Sequence, residues 1–331
     1  MTKRKKDTDY LYLSARIHCL ERHLLTRARM EQMIDAPDAA EAARLLTELG
    51  YDSFDASSDA ALNKALLHER EKLFQELEGQ AESGEIVDVF RLKYDYHNVK
   101  TILKDQGNNN RHLLVDAGRF DVANMVQKYR ESGKWDFLSP ELSTAAAEAQ
   151  RVLAQTGDSQ KSDFILDRAY FAEMSALAEK SRCDYLKNYV AAQIDGANLR
   201  SLVRAARMKK DTAFLRSVLF PGGTVKEESL LAAAQNGAVA VPFHHTLLKA
   251  AAEEGEKAAL GGSLTTFEKL CDDALMHQIA QARRVPFGVE VVIGYLAAKE
   301  AEFTAVRIIM SGRMANIPGD VIRERLRESY V

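Results

Sequence analysis

The sequence predicts an all-α protein, and three observations support this expectation. Apolar residues recur at helical spacing along most of the chain, as in Leu13, Ile17, Leu20 and Leu24, which form one stripe on a helix. No run of alternating β-branched residues is bounded by hairpin turns. Prolines are few, and each falls where one helix can end and another can begin. They are Pro37, Pro140, Pro221, Pro242, Pro286 and Pro318.

The starts of several helices can be placed from capping residues. Asp38 with Glu41 and Thr265 with Glu268 each fit a capping box, in which the first side chain caps the backbone and the second reaches back to it. The Ser139-Pro140 pair predicts another start, because proline in the first turn loses no hydrogen bond. Clusters of glycine and asparagine predict loops. They are Gly107-Asn108-Asn109-Asn110, Gly222-Gly223 and Gly261-Gly262.

The composition is that of a globular protein with two or three domains. Of the 331 residues, 46% are apolar and 28% are charged, and the net charge of −3 gives no general attraction to nucleic acid. The basic run at Lys3, Arg4, Lys5 and Lys6 is typical of a solvated tail. We find neither a signal peptide nor an apolar stretch of the roughly 18 to 20 residues that a membrane span needs. A cytoplasmic location is therefore expected.

One segment of the chain recurs. Residues 95–104 (DYHNVKTILK) are echoed at 195–204 (DGANLRSLVR), with the aspartate, the asparagine, the aliphatic residues and two cations in register. A fainter copy at 299–308 (KEAEFTAVRI) keeps the amphipathic pattern and has Glu302 in place of the asparagine. Three copies in one order, at nearly equal spacing, favour three related helical units.

We therefore predict three helical bundles, at residues 1–108, 109–211 and 212–331. Three similar units can close into a ring or funnel about a pseudo-threefold axis. Such an arrangement presents a central hole in place of a conventional pocket.

No motif in the sequence predicts catalysis, a cofactor or a metal site. The glycine pairs lack the lysine and the strand-turn-helix setting of a phosphate loop. His244 and His245 are adjacent, so they point in different directions and do not chelate one metal from one helix face. Cys19, Cys183 and Cys271 are widely spaced, which is typical of reduced core thiols. Basic residues are spread over many helices, which disfavours a nucleic-acid reader.

The segment Phe90–Lys100 resembles the C subunit of the V/A-type ATP synthases, whose family includes the d subunit of the eukaryotic vacuolar ATPase. The family's Tyr-Asp-x-x-Asn-x-Lys core stands here at Tyr94, Asp95, Asn98 and Lys100. Three further segments resemble the family in the same order, so that the resemblance covers essentially the whole chain. They are Tyr10–Leu25, Leu45–Phe54 and Tyr295–Gly312.

The resemblance implies a non-catalytic coupling protein: a funnel of three bundles that sits on the membrane rotor ring and receives the foot of the central stalk. The implied partners are central-stalk subunits of the D and F type and the proteolipid ring, with the chain itself a monomer on the cytoplasmic face of the membrane. No nucleotide, cofactor or metal is implied. The alternative is a general helical-repeat adaptor of another complex, which explains the repeats and leaves the ordered family segments unexplained.

Within the recurring segments, the polar residues on the apolar side predict structural roles. We expect Asn98 and Asn198 to be buried amides that hydrogen-bond a neighbouring element and fix its register, with direct partner contact as the alternative. Asp95 and Asp195, one turn earlier, are placed to cap or orient the start of their helices. Glu302 takes the place of the asparagine in the third copy.

Cations follow the asparagine on one helix face. A cationic stripe is most often a solvated surface, but its recurrence leaves a second hypothesis open, in which it lines the funnel and steers an acidic stalk foot into place. The candidate residues are Lys100, Lys104, Arg200, Arg204, Arg207 and Arg307.

Overall fold

The computed structural model of the protein describes residues 6–77, 84–105 and 111–331. These residues form fifteen α-helices and no strand, which confirms the all-α class. The first eight helices are α1 (Leu11–Leu20), α2 (Arg27–Asp35), α3 (Ala39–Thr47), α4 (Asp59–Leu77), α5 (Gly84–Lys104), α6 (Val122–Ser132), α7 (Pro140–Thr156) and α8 (Ser159–Ser181). The others are α9 (Asp184–Arg207), α10 (Thr212–Val218), α11 (Glu227–Asn236), α12 (Lys249–Ala259), α13 (Leu264–Ala280), α14 (Val289–Met314) and α15 (Gly319–Arg325).

Short 3-10 helices complete the described secondary structure. They are Asp7–Tyr10, Glu21–His23, Arg111–Leu113, Val241–Phe243 and Gln281–Arg284. The basic residues Lys3, Arg4 and Lys5 and the loop expected at Gly107–Asn110 lie outside the described residues.

Capping side chains begin most of the longer helices, as the sequence indicates. The carboxylate of Asp38 accepts from the backbone N–H of Glu41 at 2.8 Å, and Ser139 caps α7 ahead of Pro140. The start expected at Thr265 is wrong. Ser263 caps α13 instead, because it directly follows the glycine loop and its hydroxyl accepts from Thr266 N at 3.1 Å.

Helix α14 lies at the centre of the fold. Its residues are apolar on nearly all sides, and such a helix is stable only when other elements cover it completely. It packs against α1, α2, α3 and α4 from the first part of the chain and against α5, α9, α13 and α15. Val292, Leu296 and Val306 are fully buried there. The last long helix therefore joins the beginning of the chain to its end.

A second core forms around the last turns of α9. Leu199, Leu202 and Val203 share this core with residues of α10 to α13, including Phe267, and with Phe243 of the 3-10 helix between α11 and α12. Close packing extends to Gly255, where an added Cβ would lie 2.8 Å from Val203 Cγ2. Of the three cysteines, Cys271 belongs to this core and Cys183 caps α9. The expectation of a core thiol is wrong for Cys19, which lies exposed on α1.

Two further features of the described residues bear on function. None of their helices combines the length and the apolar character that crossing a membrane requires. Within the same ranges, no group of three or more histidine, cysteine, aspartate or glutamate side chains is arranged to hold a metal ion.

The central position of α14 predicts a large cost for truncating its core side chains. Leu296→Ala should lower the free energy of unfolding by about 2–5 kcal/mol, since the cavity left among its many neighbours collapses only partly. Leu260→Ala is the matched control, because Leu260 is 89% exposed. Denaturant unfolding measures both variants, and similar losses of stability in the two would contradict the assignment of α14 to the core.

Candidate functional site: contacts between the recurring segments

The three recurring segments lie on α5, α9 and α14, and each carries polar side chains that are buried. Asp95, Asn98, Asp195, Asn198 and Glu302 are all less than 5% exposed. We call these five the junction residues. A buried polar group must find hydrogen-bond partners, so the identity of those partners shows what each residue holds in place.

Each of the two asparagines binds the backbone of a loop that lies further along the chain, after α5 for Asn98 and after α10 for Asn198. The Asn98 amide donates to Val115 O at 2.8 Å, and its oxygen accepts from Val115 N at 2.9 Å. Asn198 forms the same pair with Phe220, at 2.8 Å in both directions. Each amide thus replaces both backbone bonds of one loop residue, and this fixes the register of the loop against the helix.

The two aspartates bind the same loops a few residues further on. Asp95 accepts from Arg119 N at 2.8 Å and from Arg119 Nε at 2.6 Å, and Asp195 accepts from Val225 N at 3.1 Å and from the backbone and hydroxyl of Thr224. The expectation that they cap a helix start is wrong, because both lie well inside α5 and α9. Burial raises the pKa of the Asp95 carboxyl, and the charge and hydrogen bonds of Arg119 oppose that rise.

A glycine in each loop makes this approach possible. A Cβ added at Gly118 or at Gly223 would overlap Oδ1 of Asp95 or Asp195, respectively. Only glycine therefore lets the backbone reach the carboxylate. The two loops share this feature as well as the paired aspartate and asparagine.

Glu302 binds the start of the chain. Its carboxylate accepts from Leu25 N at 2.6 Å, directly before α2, and from the Tyr51 hydroxyl at 2.6 Å. Lys299 Nζ lies 2.6 Å from the same carboxylate and balances its charge in the buried site. Burial first, and then the charge of Glu302, raise the pKa of Tyr51 well above its usual range, so its hydroxyl remains a donor. In the third copy Glu302 therefore binds the backbone at Leu25 with no second acidic residue beside it among the described residues.

The cations of α5 pair with carboxylates of α8. Lys100 lies 2.5 Å from Asp167 and Lys104 lies 2.6 Å from Asp163. The acidic residues are four apart, as are the cations. This matching spacing is visible in the sequence, but the pairing of distant helices is not.

The cations of α9 repeat this arrangement on α13. Arg200 pairs with Asp272, and Arg204 lies 2.5 Å from Glu268. Arg207 differs, because its guanidinium donates to the carbonyl oxygens of Ala258 and Gly262 at 2.9 and 2.7 Å, and so satisfies the end of α12. The remaining candidate, Arg307 of α14, donates to the Asn63 side-chain oxygen of α4 at 2.6 Å.

A cavity of about 420 Å³ lies where α5, α8, α9, α13 and α14 meet. Lys93, Gln193 and Ala297 line it, each two residues before its recurring segment. Arg327, from the segment after α15, lines it as well. We call this space the central cavity. All three copies thus contribute an equivalent position to one cavity.

The hydrogen bonds of Asn98 and Asn198 predict that replacing either residue with an apolar one lowers the stability of the protein. Asn98→Leu and Asn198→Leu each leave a loop N–H and C=O without their partner, at about 1–3 kcal/mol for each buried group. Thermal and denaturant melts measure this, with Asn124→Leu on the exposed face of α6 as the control. Wild-type melting of both variants, combined with lost binding to a partner, would instead support direct partner contact.

Comparison with known proteins identifies the family. The family model described as "ATP synthase (C/AC39) subunit" matches residues 13–325. The chain is 26% identical to the C subunit of the V-type sodium ATPase of Enterococcus hirae, over 97% of this chain and 99% of that protein.

Two further relatives come from other lineages. The C subunit of the V-type ATP synthase of Thermus thermophilus is 24% identical, over 93% of this chain and 94% of the relative. The C subunit of the A-type ATP synthase of Methanocaldococcus jannaschii is 23% identical, over 96% and 86%. The resemblance inferred from Tyr94, Asp95, Asn98 and Lys100 is therefore confirmed, and the chain belongs to the ATP synthase (C/AC39) subunit family.

Proposed function

We propose that the chain is the non-catalytic component that couples the central stalk of a V/A-type rotary ATPase to its membrane rotor ring. The observation that carries this proposal is the family match over residues 13–325, together with relatives named as the C subunit of such enzymes. A general adaptor of another complex, the alternative drawn from the repeats, does not account for a match of that extent.

The pattern of junction contacts supports three units, at residues 1–108, 109–211 and 212–331, arranged as a pseudo-threefold funnel. Asp95 and Asn98 bind the loop that opens the second unit, and Asp195 and Asn198 bind a loop near the start of the third, after α10. Glu302 then binds Leu25 at the start of the first. A chain whose last unit holds its first in this way closes on itself.

The central cavity is where the foot of the stalk would enter. Equivalent residues of the three units line it, so a stalk side chain that enters it lies close to all three units at once. The ion pairs Lys100–Asp167 and Arg200–Asp272 link neighbouring units, and with the junction contacts they resist the shearing that torque imposes. In this arrangement the stalk subunits are of the D and F type, and the proteolipid ring lies beneath the funnel on the cytoplasmic face of the membrane.

Under this proposal, the cations that follow the asparagines act mainly within the molecule. Lys100, Lys104, Arg200 and Arg204 hold neighbouring units together through their carboxylate partners. Steering of the stalk by these residues stays a prediction, and the half-exposed Arg204 side chain is the best placed of the four for it.

Reconstitution of the rotary complex tests the function. We expect a complex assembled without this chain to keep ATP hydrolysis by its catalytic head and to lose ATP-driven ion transport, since the head no longer turns the ring. Adding the purified chain should restore transport and yield a stable assembly with the stalk subunits on size exclusion. Full coupled transport in the complex that lacks the chain would refute the proposal. The complete complex, assembled in parallel, is the control.

A further inference from the structure

Each helix that carries a recurring segment packs against a helix of another unit: α5 against α8, α9 against α13 and α14 against α4. These three interfaces differ in how their cations are paired. At the α5–α8 interface, Lys100 and Lys104 face Asp167 and Asp163, one carboxylate for each cation. At the α9–α13 interface, Arg200 and Arg204 likewise face Asp272 and Glu268. Each cation of these two pairs has a carboxylate partner, and Asp272 also pairs with Arg327 of the segment after α15.

The α4–α14 interface occupies the corresponding place and has no such neutralisation. Arg307 meets the uncharged amide of Asn63, at 2.6 Å. Among the described residues, no carboxylate forms an ion pair with Arg307 or with its neighbour Arg70. Desolvation, and then the charge of Arg70, lower the pKa of Arg307, and only Asp59 at the start of α4 opposes them.

Arg70 is held by contacts that leave its charge unbalanced. Its guanidinium lies 4.7 Å from the centre of the Phe303 ring and 5.9 Å from that of Tyr94. One terminal nitrogen donates to Leu66 O at 3.3 Å. The Nε atom is buried, and no described residue accepts its hydrogen. Within the described part of the chain, the charge of Arg70 has no carboxylate partner, and a carboxylate is the group that pairs best with a guanidinium.

This interface adjoins the central cavity. Thr304, one turn before Arg307 on α14, lines the cavity, and so does Glu300 one turn earlier. Glu300 is already used, because Lys93 Nζ and the Tyr94 hydroxyl lie 2.6 and 2.5 Å from its carboxylate. The positive charge of Arg70 and Arg307 therefore remains available beside the space proposed for the stalk.

We propose that the α4–α14 interface receives an acidic side chain of the central stalk, which pairs with Arg307 and Arg70 and sets the angular position of the stalk in the funnel. The inference rests on the proposed function and deepens it. A funnel with three equal interfaces offers three equivalent orientations to a stalk. One interface whose arginines have no carboxylate partner among the described residues, beside two whose cations are paired with carboxylates, leaves a single preferred orientation.

Binding to the purified stalk subunits tests this, with Arg307→Gln compared with Arg44→Gln. Arg44 is exposed on α3 and pairs with Glu41 of the same helix and with Glu48 directly after it. Its variant therefore removes one positive charge at a site outside the central cavity. We expect Arg307→Gln to weaken stalk binding roughly tenfold and to flatten its salt dependence, as loss of an interfacial charge pair does. Arg44→Gln should bind within about twofold of wild type.

A second measurement needs no variant. Butanedione labelling with mass spectrometry should modify Arg307 in the free chain and leave it protected in the stalk complex. Wild-type affinity of a folded Arg307→Gln variant, or equal labelling of Arg307 in both states, would refute the inference while the proposed function stands. A wild-type chain that does not bind the stalk at all would refute the proposed function, and the inference with it.

Discussion

The fold depends on one kind of interaction, a buried polar side chain inside a long helix that binds the backbone of an arriving loop. Helix packing alone defines which faces meet, but apolar contacts are non-directional and tolerate sliding. The amides of Asn98 and Asn198 each fix one loop residue through two hydrogen bonds. Because these groups are buried, a shift of the loop would leave the amide and the backbone groups without hydrogen-bond partners and would cost free energy.

The third contact of this kind, made by Glu302, joins the last long helix to the start of the chain. Glu302 binds Leu25 and Tyr51, residues separated from it by most of the chain. Its charge is tolerated because Lys299 Nζ lies 2.6 Å away, and removing either partner alone would leave a buried charge uncompensated. With the first part of the chain held in this way, α14 packs against α1, α2 and α3 as well as against the later helices.

The sequence predicts what is local and misses what is distant. Helical periodicity, caps such as Asp38 and the buried role of Asn98 follow from residues within a few turns of one another. The carboxylates that pair with the cations do not, because Asp167 lies 67 residues from Lys100 and Asp272 lies 72 from Arg200. The matching spacing of acids and cations is the available signal. The recurring motif begins at Asp95, and this suggests a helix start there. The helix α5 in fact begins at Gly84, well upstream of the motif.

The central claim is that the contact of Glu302 closes the chain on its own beginning. The double variant Lys299→Met/Glu302→Leu tests it most directly, because it removes the buried charges together and leaves no ion unpaired. Hydrogen–deuterium exchange should then accelerate at residues 24–51, while the loops at 113–120 and 219–226 exchange as in the wild type. Unchanged exchange at 24–51, or equal acceleration in all three regions, would contradict the account.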